Sequence, residues 1–194
     1  MTLTRELKRR GVNVIARTAV DRVDTGANLG ATVHYRQGDS DEDRTAYGEV
    51  VLAAIGRVPN TDADWFRSSG LKLDERGYVT VDGYGRTNLD GVWALGDITP
   101  GHALAHRAFE QGITIAEKIA GADPKPVIDD TVPQVVFSFP EAASVGLTLD
   151  QAKAREDVVE PKETAYPMLS NARMLMSGEG GSMTVVSGAF ANNP

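Results

Sequence analysis

The sequence has 194 residues, 41% of them hydrophobic and 24% charged, enough for one large globular domain or two small ones. Twenty Lys and Arg against 27 Asp and Glu leave a net charge of −7, with no basic cluster to point to nucleic acid and no apolar run long enough to cross a bilayer. There is no cysteine and no secretory leader pattern at the N-terminus, which excludes disulfide frameworks, thiolate metal sites and cysteine catalysis by this chain alone, and predicts a cytoplasmic setting.

In chain order, residues 4–10 predict the end of a polar helix stopped by Gly11. Residues 12–15, 18–23 and 31–35 predict strands, with a turn over residues 26–30. Residues 37–44 (QGDSDEDR) predict a solvated hairpin tip whose acidic run does not space carboxylates for a metal. The continuous apolar run of residues 49–55, ending at Gly56, predicts a strand buried on both faces. Residues 57–86 are loop-rich, with one strand at 78–81 and with Trp65-Phe66 as a local hydrophobic anchor.

Gly91-Val-Trp-Ala-Leu-Gly-Asp97 predicts a buried strand that stops abruptly. A helix follows, on which Leu104, Ala108, Gly112, Ile115 and Ile119 form one apolar stripe, with Gly121 placed to end it. Pro124 and Pro126 mark a linker. Beyond it, strands are expected at 134–138, 143–147, 163–166 and 183–187, and Thr148-Leu-Asp-Gln151 is a capping box opening a short helix. The methionine-rich segment 168–176 reads as packing surface.

The strongest site signal is Gly96-Asp97 followed by the helix beginning near His102. A carboxylate just past a buried parallel strand lies where open α/β sheets bind ligands, and it can accept hydrogen bonds from a sugar or polyol. Gly96 allows close backbone approach. The helix start offers unpaired N–H groups and a positive dipole end to an electron-rich group. The alternative at this point is that Asp97 merely caps the helix.

Ala54-Ile-Gly-Arg-Val-Pro-Asn60, Gly77-Tyr-Val-Thr-Val81, Arg86-Thr-Asn88, Gly91 to Asp97, Leu104-Ala-His-Arg-Ala108, Gly112, Pro140-Glu141 and Ala143-Ser-Val-Gly-Leu-Thr148 occur in that order. Together they resemble the FAD-dependent pyridine nucleotide–disulfide oxidoreductases, most closely the dihydrolipoyl dehydrogenase branch. The resemblance implies an α/β fold, with partial Rossmann-like FAD- and NAD(P)-binding domains followed by part of an α+β dimerisation domain. It divides the chain into residues 1–56 (end of the NAD domain), 57–125 (returning part of the FAD domain) and 126–194 (start of the interface domain). It implies FAD and NAD as cofactors, with Asp97 on the ribityl chain, Gly96 beside it, and Ala103, Leu104, Ala105 and His106 against the flavin pyrimidine ring. Gly56 would lie against NAD, Arg57 would pack a domain junction, and the enzyme would be a homodimer acting on dihydrolipoamide.

Departures from the family pattern shape the expectation. No G-x-G-x-x-G occurs; Gly178-Glu-Gly-Gly181 reads as a turn. The redox cysteine pair is absent, and none of His34, His102 and His106 precedes proline as the family's acid–base histidine does. No catalytic and no metal residue is therefore assigned. The chain reads as an internal piece of a longer enzyme, inactive alone, its Met1 a mid-frame start or a misplaced gene boundary. A disulfide-free NAD(P)H:quinone reductase relative is the alternative enzyme. A non-catalytic folded fragment that only associates, through apolar strands such as 50–55 left without neighbours, is the alternative of another class.

Overall fold

The computed structural model describes residues 3–26, 30–178 and 180–191. The chain forms two units, residues 1–56 and 57–194.

The first unit opens with helix α1 (Leu3–Arg9), closed by Gly11 at a φ of +82°. Three antiparallel strands follow in the order β1-β2-β3: β1 (Thr18–Thr25), β2 (Ala31–Gln37) and β3 (Arg44–Gly48). Residues 12–15 form no strand, and the expected turn at 26–30 falls largely on residues 27–29, outside the described residues. A register shift between Val20 and Arg22 marks a bulge at Asp21. Arg36 on β2 reaches this bulge, its Nε and Nη2 donating to the Asp21 carboxylate at 2.8 and 2.6 Å. The acidic tip is exposed as expected, but Asp43 turns back: His34 lies between Asp24 (3.0 Å) and Asp43 (3.2 Å) and ties the three strands together.

The expected buried strand at residues 50–55 is not formed. Val50, Leu52 and Ile55 are 87%, 86% and 96% exposed, and no ladder includes them. Such a strand needs hydrogen-bonding neighbours on its edges and cover on both faces. Among the described residues nothing supplies either, so the apolar run stays extended and wet.

In the second unit, helix α2 (Asp64–Arg67) buries Phe66 and leaves Trp65 exposed, edge-on to Phe66 at 5.1 Å. The anchor is thus Phe66 alone. Phe66, Val79 and Ala94 form the core, with Leu71, Val81 and Ile98 packed against it. Two loops of one design shape this region. The Asp74 carboxylate accepts the N–H groups of Arg76 and Tyr78, and Asp82 accepts those of Tyr84 and Arg86. Each loop also carries a positive-φ glycine, Gly77 or Gly85. These tight turns leave too little straight chain for ladders, so the strands expected at 78–81 and 91–97 reduce to isolated pairings, Leu73 with Val79 and Arg86 with Trp93.

Helix α3 (Ala105–Ile119) ends through Ala120 and Gly121, the latter at +85°, as expected. The expected apolar stripe is covered from Leu104 to Ile115 but not at Ile119, and the face also takes in polar residues. Arg107, Thr114 and Ile115 are buried, while Ile119, Phe109 and Ile113 are exposed. What turns the helix this way is polar anchoring at its first turns, described below. The chain continues through a 3-10 turn (Asp129–Thr131) to the antiparallel pair β4 (Gln134–Val136) and β5 (Ala142–Ser144). Helix α4 (Leu149–Ala154) begins on the complete capping box of Thr148 and Gln151. Strands β6 (Val158–Pro167) and β7 (Ser182–Phe190) form a long antiparallel ribbon. Between them lie a 3-10 turn (Met168–Ser170) and helix α5 (Ala172–Ser177), capped by Asn171 and closed by Gly178 in the left-handed region. Leu169, Leu175 and Met176 of this segment are exposed. Residues 192–194 lie outside the described residues.

Two measurements check this packing. Val79 is fully buried, so Val79→Ala should lower the urea-unfolding free energy by about 2 kcal/mol through lost burial and the cavity left. Hydrogen bonds from Arg36 hold the Asp21 carboxyl below its ordinary value of 3.8. A depressed folded value means the bond stabilises the sheet above the unfolded value and is lost as pH falls through the folded one. Carboxyl NMR titration should give an Asp21 midpoint below 3.8 that moves up towards it in Arg36→Ala.

Candidate functional site

The candidate residues of the second unit converge on one corner, where a 3-10 turn (Gly96–Ile98) packs against the first turns of α3. Gly96 has a φ of +74°, where side chains are strained, and a Cβ there would press on the Ala108 Cβ at 3.4 Å. Its N–H donates to Gln111 Oε1 at 2.8 Å, and its carbonyl accepts both the N–H (3.0 Å) and the hydroxyl (2.8 Å) of the buried Thr99. The turn is therefore clamped on both sides.

Asp97, the next residue, is exposed. Its nearest cation is Arg57, Nη2 to Oδ2 at 3.8 Å, with both side chains largely in solvent. A pair so long and so exposed contributes little, and leaves the carboxylate able to accept hydrogen bonds. Asp97 does not cap α3, for no side chain caps that helix. Leu104 stands at the cap position with extended backbone, and the first intrahelical bond is Ala108 N–H to the Leu104 carbonyl at 3.1 Å. The N–H groups of Ala105, His106 and Arg107 thus lie in the first turn with no intrahelical acceptor, at the positive end of a 15-residue helix.

The segment 103–106 is held from the far side. His106 Nε2 donates to the Pro133 carbonyl at 2.7 Å, and His102 Nε2 lies 3.1 Å from Gln134 Nε2, from which it accepts. Ala103, Ala105 and His106 are exposed, with Leu104 half-buried between them. Small side chains and bare N–H groups leave this edge open to a flat, electron-rich group.

Gly56 belongs to the first unit, exposed at a φ of +127° with open space around it. Among the described residues no group of three or more His, Asp or Glu could hold a metal ion, and no helix is long and apolar enough to cross a membrane.

Four residues to which the sequence assigned no role shape the corner: Thr99 and Gly101, which stand inside the site signal itself, Arg107 and Gln111. One carried a legible signal. A cation in the first turn of a helix opposes the dipole, and Arg107 is in addition 94% buried by its 6% exposure. Such a residue is held there by a partner, which here is Asp129, with Arg107 Nε at 2.6 Å from Oδ1.

Known proteins resemble this chain in sequence and fold. The family model described as pyridine nucleotide-disulphide oxidoreductase matches residues 1–112. Dihydrolipoyl dehydrogenase of Cupriavidus necator is 39% identical over 175 residues, 90% of this chain and 36% of that protein. The crystal structure of LpdA from Mycobacterium tuberculosis superposes with a TM-score of 0.80 at 30% identity, over 95% of this chain and 39% of the other. The HOCl-induced flavoprotein disulfide reductase RclA of Escherichia coli is alike in fold, with a TM-score of 0.79 at 24% identity over 95% of this chain and 41% of its own. The chain spans about a third of the length of the curated relatives it matches, 32–37%. With a family match over more than half its length and a partial α/β fold shared with these structures, the chain belongs to the pyridine nucleotide-disulphide oxidoreductases.

Proposed function

We propose that the chain supplies part of the flavin site of an oxidoreductase that moves electrons between a dihydrolipoamide-type dithiol and NAD through FAD. The balanced reaction oxidises two thiols to a disulfide and reduces NAD, the two electrons and one proton ending on the nicotinamide as hydride and the second proton being released. FAD, when bound, supplies the two-electron chemistry that joins the two half-reactions. The observation that carries the reading is the uncapped start of α3 immediately beyond the clamped Gly96-Asp97 turn.

The residues fit that group. Asp97, exposed and only distantly paired, would accept hydrogen bonds from the ribityl hydroxyls. Gly96 keeps the backbone beside it free of a side chain. Ala103, Leu104, Ala105 and His106 would face the pyrimidine ring, where the bare N–H groups and the positive helix end would favour the electron-rich reduced form. Gly56 would approach NAD in the same reading. Residues 1–56 then represent the end of the NAD domain, 57–125 the returning part of the FAD domain and 126–194 the start of the interface domain of a cytoplasmic homodimer. The 194 residues contain no cysteine, so they contribute flavin contacts and not the thiols, and they do not turn over dihydrolipoamide alone.

The test is direct. The purified chain is incubated with FAD, passed through gel filtration and scanned in the visible. A flavin band co-eluting with the protein is expected, and Asp97→Ala should weaken binding by about tenfold, the worth of one charged hydrogen bond. A chain that emerges colourless would sink the flavin reading in favour of a fragment that only associates. NAD reduction by dihydrolipoamide with the isolated chain would refute the division of labour.

A further inference from the structure

The sharpest feature that the flavin reading leaves unused is the buried Arg107. It stands third in α3, so its charge lies within the helix's first turn, and burying a charge there is costly unless it is paired. Its fork is divided among separate stretches of chain. Nε donates to Asp129 Oδ1 at 2.6 Å, and Nη2 donates to the Pro100 carbonyl at 2.6 Å. Nη1 is buried with no partner among the described residues. Gly101, at a φ of +119°, completes the arrangement, because a Cβ there would collide with Arg107 Nη2 and the Asp129 carboxylate. The loop between the Gly96-Asp97 turn and α3 is therefore drawn down onto a guanidinium that belongs to the helix it feeds. Asp129 ties the same guanidinium to the segment leading into β4.

We infer that Arg107, paired with Asp129, is the positioning residue of the flavin-facing edge. It fixes where residues 103–106 present their N–H groups, and it adds positive charge behind them. The inference rests on the flavin reading for what the edge faces, but its anchoring role stands on the geometry alone. Three features favour a built device over an incidental ion pair. A glycine is required over the pair, the backbone carbonyl of Pro100 is recruited to it, and Nη1 is buried without a partner among the described residues rather than turned to solvent.

The experiment has two arms on the full 194-residue chain. In the first, without flavin, native-state hydrogen exchange compares wild type with Arg107→Gln. The Thr99 and Ala108 amides, bonded to the Gly96 and Leu104 carbonyls, should exchange about tenfold faster or more. The Thr80 and Ala120 amides, bonded to the Lys72 and Ala116 carbonyls, should stay unchanged. Gly101→Ala keeps both charges but displaces the loop, and should give the same local pattern if Arg107→Gln fails to fold. In the second arm, the midpoint potential of bound FAD should fall in Arg107→Gln and rise in Asp129→Asn, since one loses a positive and the other a negative charge behind the same edge. Unchanged exchange at Thr99 and Ala108, or acceleration spread evenly over residues 57–191, overturns the inference. So do potentials that shift the same way in both variants, which is what simple loosening would give. A colourless wild-type chain refutes the flavin reading, while the exchange arm still judges the anchor by itself.

Discussion

The candidate site depends on how the backbone leaves the core at Gly96 and re-forms as α3 without a side chain to cap the helix. A helix start normally satisfies its free N–H groups with a Ser, Thr, Asp or Asn at the cap, and substituting such a cap typically costs about 1 kcal/mol. Here Leu104 stands at the cap position and gives no side-chain bond. The cost is borne elsewhere, in the clamp on Gly96 from Gln111 and Thr99, in the His106 bond to Pro133, and in the Arg107–Asp129 pair. Each of these contacts orders a helix start that keeps its own donors bare. That is the arrangement a binding edge requires, because a donor satisfied within the chain has nothing left for a ligand.

The same contacts explain why α3 turns an apolar face outward. Hydrophobic periodicity alone would continue the strip of Ala108, Gly112 and Ile115 on to Ile119, which is exposed. The anchors at Arg107 and Gln111 lie on a neighbouring strip, and their short polar bonds to fixed points of the chain outweigh the gain from covering a few methyl groups. Phe109 and Ile113 are left in solvent as a result. Rotating the helix to bury them would break the clamp on Gly96 and expose the paired guanidinium, leaving two buried backbone groups and one charge to be satisfied anew.

Sequence reading saw local features well. The turn at Gly96-Asp97, the stop at Gly121, the capping box at Thr148 and the β6–β7 ribbon are each set by backbone conformation or by pairing that short-range patterns encode. It also placed Gly96 next to the start of α3, where the structure has the turn pack against that helix. It missed Arg107, Gln111 and Thr99, because their roles rest on partners 22, 15 and 3 residues away that no periodicity links. It erred on residues 50–55 and 91–97, where the apolar pattern is that of buried strands. An apolar run states only that a segment can be buried, whereas a strand also needs an edge to pair with.

That contrast bears on what such a chain can do. A sheet is a collective structure, and a strand such as 50–55 gains nothing until its neighbours are in place, so its apolar side chains stay exposed. The corner at Gly96 closes through bonds that its own stretch of chain supplies, with the His102, His106 and Arg107 contacts reaching as far as residues 129–134. A binding edge made this way is less dependent on the completeness of the sheet than the sheet is on itself. A helix start with free N–H groups can therefore be fixed in a chain whose apolar run at residues 50–55 forms no strand, and the exposed apolar surface and the prepared N–H groups are two results of one short-range folding logic.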